Sequence, residues 1–139
     1  MKIVLNKCYG MLDLSQEALV KFAELENIKL YFYTYDNETE GYIRKDAYSK
    51  YCRVYTTIKN LGEFCEYIPK DALFPIDDID RTNPNLIQVI EEMGTAKAGA
   101  TWSYPVIEII PAGTRFLIKE ENGYETIITP EDLEWKIAD

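Results

Sequence analysis

Two β-favouring runs, Phe116-Leu117-Ile118 and Thr126-Ile127-Ile128, flank the dipeptide Asn122-Gly123. A tight hairpin turn needs positive φ at both central positions, which asparagine tolerates and glycine adopts freely. The pattern therefore commits this stretch to two antiparallel strands. A second local signal lies upstream: Asn83 suits a helix N-cap and Pro84 the first helical position. Leu86, Ile87, Ile90 and Met93 then form one apolar stripe, opposite Gln88, Glu91 and Glu92, before Gly94 ends the helix. Hairpin and helix together predict an α+β fold. At 139 residues and 47% hydrophobic content the chain suits a single domain, residues 1–139. We expect a mostly antiparallel sheet, two main helices packed on it and a C-terminal β-hairpin.

The other elements read less sharply. Lys2 to Asn6 is a first strand. Ser15 caps a helix over about residues 16–26, with Leu14 stapled onto Leu19 and Asn27 as the stop. Leu30 to Tyr35 predicts a second strand, and the strand, helix, strand order places the first helix across one sheet face. Asn37 to Gly41 is a turn, and Tyr51 to Ile58 a further strand. Residues 60–80 read as an irregular excursion, so that about 36–80 is a tyrosine-rich insertion. Thr95 to Ala100 reads as a link, Trp102 to Ile110 as a strand with Pro105 at an edge or bulge, and Thr129 to Asp132 as a capped turn.

Composition removes several chemistries. The chain has no histidine, which excludes triad hydrolases, imidazole-bound zinc and two-histidine phosphodiesterases. Its net charge of -9 argues against a general DNA-binding surface and leaves room for a local basic pocket. Cys8, Cys52 and Cys65 are odd in number and lack C-x-x-C spacing, so they predict free thiols. No apolar run approaches the roughly 20 residues of a membrane span, and the first residues do not read as a signal peptide. A cytoplasmic protein without cofactor or metal, and no enzyme, is the expectation.

Lys2-Ile3-Val4-Leu5-Asn6-Lys7-Cys8-Tyr9-Gly10, with Leu14-Ser15-Gln16-Glu17-Ala18, resembles the start of a widespread group of small bacteriophage and prophage proteins, most without an assigned activity. Arg81 to Gly94, Val106 to Pro111 and Glu121 to Glu125 are similar to the rest of that group. The group has a second glycine and an aromatic after Gly10, where this chain has Met11 and Leu12. The resemblance implies a phage protein acting in the host cytoplasm. It suggests either a counter-defence binder, which sequesters a nucleotide immune signal or blocks a host protein, or an accessory enzyme.

Three places qualify as ligand-binding sites. Tyr51, Arg53 and Tyr55 share one face of the expected strand, and Arg44 precedes them. Aromatic rings stack bases and guanidinium groups take phosphate oxygens, against a plain reading as cross-strand pairs. Arg81 stands before a helix N-terminus, where an anion would be welcome, although a salt bridge to Asp77, Asp78 or Asp80 is the simpler arrangement. Lys7 and Tyr9 follow the first strand, and Asn6 there can tie down its own turn. These residues favour a non-enzymatic protein that sequesters a small nucleotide signal as a homo-oligomer, since subunit interfaces readily assemble a basic pocket in an acidic protein. The alternatives are an acidic inhibitor of a host defence or nucleic-acid enzyme, and a small metal-dependent enzyme using Asp77 to Asp80.

Overall fold

The computed structural model describes residues 1–45 and 53–139. In chain order come β1 (Lys2–Asn6), α1 (Gln16–Glu26), β2 (Tyr31–Asp36), β3 (Gly41–Arg44), β4 (Tyr55–Thr57) and β5 (Phe64–Cys65). They are followed by α2 (Pro84–Met93), the single turn α3 (Thr95–Ala98), β6 (Pro105–Ile109), β7 (Leu117–Glu121) and β8 (Tyr124–Ile128). The fold is α+β, and every strand pairing among the described residues is antiparallel. The chain forms two compact units, residues 1–19 with 79–139 and residues 20–78. No helix among the described residues is long and apolar enough to cross a membrane.

In the first unit β1 pairs with β6 along its full length, Lys2 opposite Ile109 and Asn6 opposite Pro105. Pro105 opens its strand, a position that costs no internal ladder bond. Ile3 and Leu5 share a face of β1 and cluster with Ile110, Phe116 and Ile127. Val4, on the opposite face, is fully buried too. α2 packs on β1 and β6 and buries Leu86, Val89 and Ile90, each worth about 1.5–3 kcal/mol of apolar transfer. Its start is as expected: the Asn83 side-chain oxygen accepts from the Asn85 and Leu86 N–H groups at 2.8 and 3.3 Å. Asn122 and Gly123 hold φ of 52° and 88° between β7 and β8, as the hairpin requires. Gly10 donates its N–H to the Asn122 carbonyl at 2.9 Å, and a Cβ on Gly123 would run into the Gly10 backbone. Gly10 thus makes a close backbone approach without a second glycine after it. The expected turn at Thr129 to Asp132 is present, closed by a capping box.

Three expectations need correction here. β1 and β2 lie in different sheets, so the first helix does not cross one sheet between them. The reason is that β1 pairs with β6, while its Val4 N–H donates to the Arg81 carbonyl. The sheets accordingly have two, four and two strands in place of one main sheet. Within 95–110, the link contains α3, and the strand starts only at Pro105, because Ser103 is buried and bonded to the Asp13 N–H.

α1 begins as expected, with the Ser15 hydroxyl accepting from the Ala18 N–H at 3.2 Å. It ends at Asn27, whose φ of 57° lets Ile28 donate back to the Ala23 carbonyl at 2.8 Å, a Schellman closure. The second unit is the sheet β4-β2-β3-β5. The turn after β2 is held by Asp36, which accepts the Thr39 hydroxyl at 2.8 Å. Chiefly for that reason its carboxyl lies below the ordinary carboxylate value. β3 pairs with β2 directly, a strand hidden at sequence level in a polar stretch. The strand expected over 51–58 shortens to Tyr55–Thr57, and Tyr51 and Cys52 lie outside the described residues. Residues 60–80 hold the short β5 and two 3-10 turns, otherwise irregular as expected.

Asn83→Ala should lower unfolding free energy by about 1 kcal/mol. Gly123→Ala should cost more, since it strains a positive φ and pushes two backbones apart. Urea unfolding with unchanged m-values checks both, and equal costs would contradict the close Gly10 approach.

Candidate functional site

Lys7, Tyr9 and Arg81, separate candidates in the sequence, come together in the first unit around β8. The Arg81 guanidinium forks onto the Glu125 carboxylate at 2.6 and 3.0 Å and reaches the Val4 carbonyl at 3.2 Å. Glu125 also accepts the Asn6 N–H at 2.7 Å. Arg81 therefore pairs with Glu125 and not with the nearby aspartates, because Asp80 turns back onto Thr82. Asp80 accepts that residue's N–H and hydroxyl at 2.8 and 2.7 Å, which hold its carboxyl below the ordinary value. Lys7 donates to the Glu125 carbonyl at 2.6 Å, sits 3.3 Å from the Glu108 carboxylate and lies over the Tyr124 ring. Both cations are engaged within the fold. Tyr9 stacks at 5.5 Å on Tyr124 and is otherwise open to solvent.

Asn6 does more than tie its own turn. Fully buried, it donates to the carbonyls of Cys8 and Gly123 at 3.1 and 3.0 Å and accepts from the Tyr104 N–H at 3.0 Å. Nothing local flags Glu125 in the sequence, since its partners Asn6 and Arg81 are 119 and 44 residues away.

The second unit carries the remaining candidates. Cross-strand register puts Tyr31, Tyr33, Tyr35, Tyr42, Arg44 and Tyr55 on one sheet face. Tyr33 is fully buried there, its hydroxyl donating to the Gly62 carbonyl and accepting from the Leu61 N–H. Tyr35, Tyr42 and Tyr55 follow one another edge-to-face at 5.3 and 5.2 Å, and the Arg53 guanidinium lies 5.0 Å from the Tyr55 ring. Arg53 thus stacks on Tyr55 from just before β4, exposed and outside the strand.

Arg44 belongs to a cleft of about 340 Å³ lined by Lys29, Leu30, Tyr31, Phe32, Arg44, Lys45 and Asn60. Its lining has three cations and no carboxylate. The Arg44 Nη1 donates to the Asn60 side-chain oxygen at 3.0 Å, which orients the guanidinium, and no other side chain among the described residues takes its remaining donors. Lys29 lies 5.5 Å from the Tyr31 ring centre. None of the three cations is ion-paired among the described residues. Lys45 still contributes weakly to the lowered Asp36 carboxyl. Lys29, Tyr31, Lys45 and Asn60 were not readable as a set, because the Asn27 turn, the end of β3 and the loop after β4 deliver them from three places. Chemically the cleft suits a small anion with an apolar or aromatic part. Among the described residues no group of histidine, cysteine and carboxylate side chains could hold a metal ion. Burial pushes the Cys65 thiol above its ordinary value, which disfavours the thiolate.

Comparison with protein-family models, curated proteins and solved structures finds no match to this chain.

Glu125→Gln should destabilise the protein by about 3 kcal/mol, because the half-buried Arg81 loses its charge partner. In a double-mutant cycle with Arg81→Met, coupling below roughly 0.5 kcal/mol would show the pair to be energetically idle.

Proposed function

We propose that this chain is a phage-encoded, non-enzymatic binding protein of the counter-defence kind that sequesters a small nucleotide signal, with the basic cleft of the second unit as its phosphate subsite. The observation carrying the reading is that Lys29, Arg44 and Lys45 line one cleft without a carboxylate, in a chain of net charge -9. Such a distribution repels extended polyanions from most of the surface while leaving a local well for a small one. Arg44, oriented by Asn60, offers a planar fork to two phosphate oxygens, and Tyr31 and Phe32 supply apolar surface for a base. The Arg53, Tyr55 and Tyr42 stack on the same sheet is a second platform of the same chemistry.

The phage origin and the counter-defence role rest on the resemblance of the first strand and of the second helix to the phage group. Sequestration requires affinity and abundance, with no turnover. Assembly remains part of the proposal as a question of stoichiometry.

Titration calorimetry with cyclic mononucleotides, cyclic dinucleotides, linear nucleoside di- and triphosphates and pyrophosphate tests the reading. At least one nucleotide should bind more tightly than pyrophosphate, with affinity falling as salt rises. Arg44→Ala should weaken it by about 10-fold or more, the worth of one charge-assisted hydrogen bond. A panel with no binding, or binding indifferent to Arg44→Ala and Lys45→Ala, overturns the assignment.

A further inference from the structure

Among the described residues β7 is hydrogen-bonded to β8 alone, and all five of its residues are exposed, so the hairpin has a free edge there. An exposed strand edge is a template for another strand, and β7 carries no proline or bulge to blunt it. Just beyond the capped turn, Leu133, Trp135 and Ile137 are 47%, 89% and 95% exposed, separated by Glu134 and Lys136. Apolar and charged residues alternate there with the period of a half-buried strand. Among the described residues Trp135 and Ile137 have no apolar cover.

The two features fit one another. Ile118 lies on the same hairpin face as Ile127, which packs on the Ile3, Leu5 and Ile110 cluster. In a parallel register that sets Leu133 beside Ile118, Glu134 and Lys136 flank the Lys119–Glu121 ion pair, 3.0 Å apart on the other face, with Glu134 beside Lys119 and Lys136 beside Glu121. Leu133 then extends the apolar face at Ile118, and Trp135 lies beside Glu120 on that face. Within one chain, this segment leaves from the end of the hairpin, where Leu133 lines a cleft of about 190 Å³ with Phe116, Leu117 and Ile128. The edge alongside β7 stays open.

We propose that residues 133–137 of one copy add as a strand to the free edge of β7 in a second copy, and reciprocally, so that the protein dimerises by exchanging these segments. The occupant is a second copy because the complementary charges and the unpartnered apolar stripe are both this chain's own. The inference is independent of the nucleotide cleft.

Sedimentation velocity on the full chain tests it. The expected mass is twice 16.1 kDa. Trp135→Glu with Ile137→Glu should raise the dimer dissociation constant about 100-fold or more while urea unfolding stays a single cooperative transition, since both residues are exposed in the single chain. Ile118→Lys should have a similar effect, and mixing the two defective proteins should restore part of the association, one intact segment meeting one intact edge. In a Trp102→Phe background, Trp135 emission should shift to the blue as concentration rises. A monomer at every concentration, a dimer indifferent to these substitutions, or no recovery on mixing would each overturn the proposal.

Discussion

A carboxylate drawn away from water must be met by donors, and Glu125 meets its requirement from two distant parts of the chain. Its oxygens take the Asn6 N–H and both terminal nitrogens of Arg81, while its carbonyl takes the Lys7 ammonium. Arg81 stands two residues before the cap of α2, Asn6 closes β1, and Glu125 lies in β8. One side chain thereby holds the helix, the strand pair and the hairpin of the first unit in register. Asn6 completes the arrangement from the other direction, binding the hairpin turn at Gly123 and the approach to β6 at Tyr104. The close Gly10 and Gly123 backbones are possible because these polar contacts fix the spacing between the loops.

Charge follows a similar logic in the second unit. A total of -9 suggests an acidic surface throughout, but three of the chain's 15 basic residues line one cleft. Among the described residues they have no ion-pair partner there, because the turns that bring them together bring no carboxylate with them. In the first unit, by contrast, Lys7 and Arg81 are consumed by glutamates. The same residue types therefore have different capacities for a ligand in the two units, and the difference comes from what stands next to them in space.

Much of the local structure was legible. Ser15, Asn83, Pro84, Gly94 and Asn122-Gly123 act through their own backbone preferences within a few residues, and each does in the fold what its chemistry suggests. β3 was not legible, because Gly41 to Arg44 has no apolar alternation and becomes a strand only between β2 and β5. The sequence pattern puts Arg53 and Tyr55 on one face of a strand, whereas Arg53 stacks on Tyr55 from just before β4. Arg81 was misassigned to nearby aspartates since proximity along the chain is a poor guide once Asp80 can bond its own turn.

What the sequence determined by itself is the α+β character, the caps and turns, and the absence of imidazole chemistry, because these depend on residue identity and short-range geometry. Tertiary structure alone decided which strands share a sheet, that Glu125 is the partner of Arg81, and that Lys29, Arg44, Lys45 and Asn60 face one cleft. Those outcomes depend on pairings between residues far apart in the chain, which are selected by the burial and hydrogen bonding of the whole unit, and no local pattern records them.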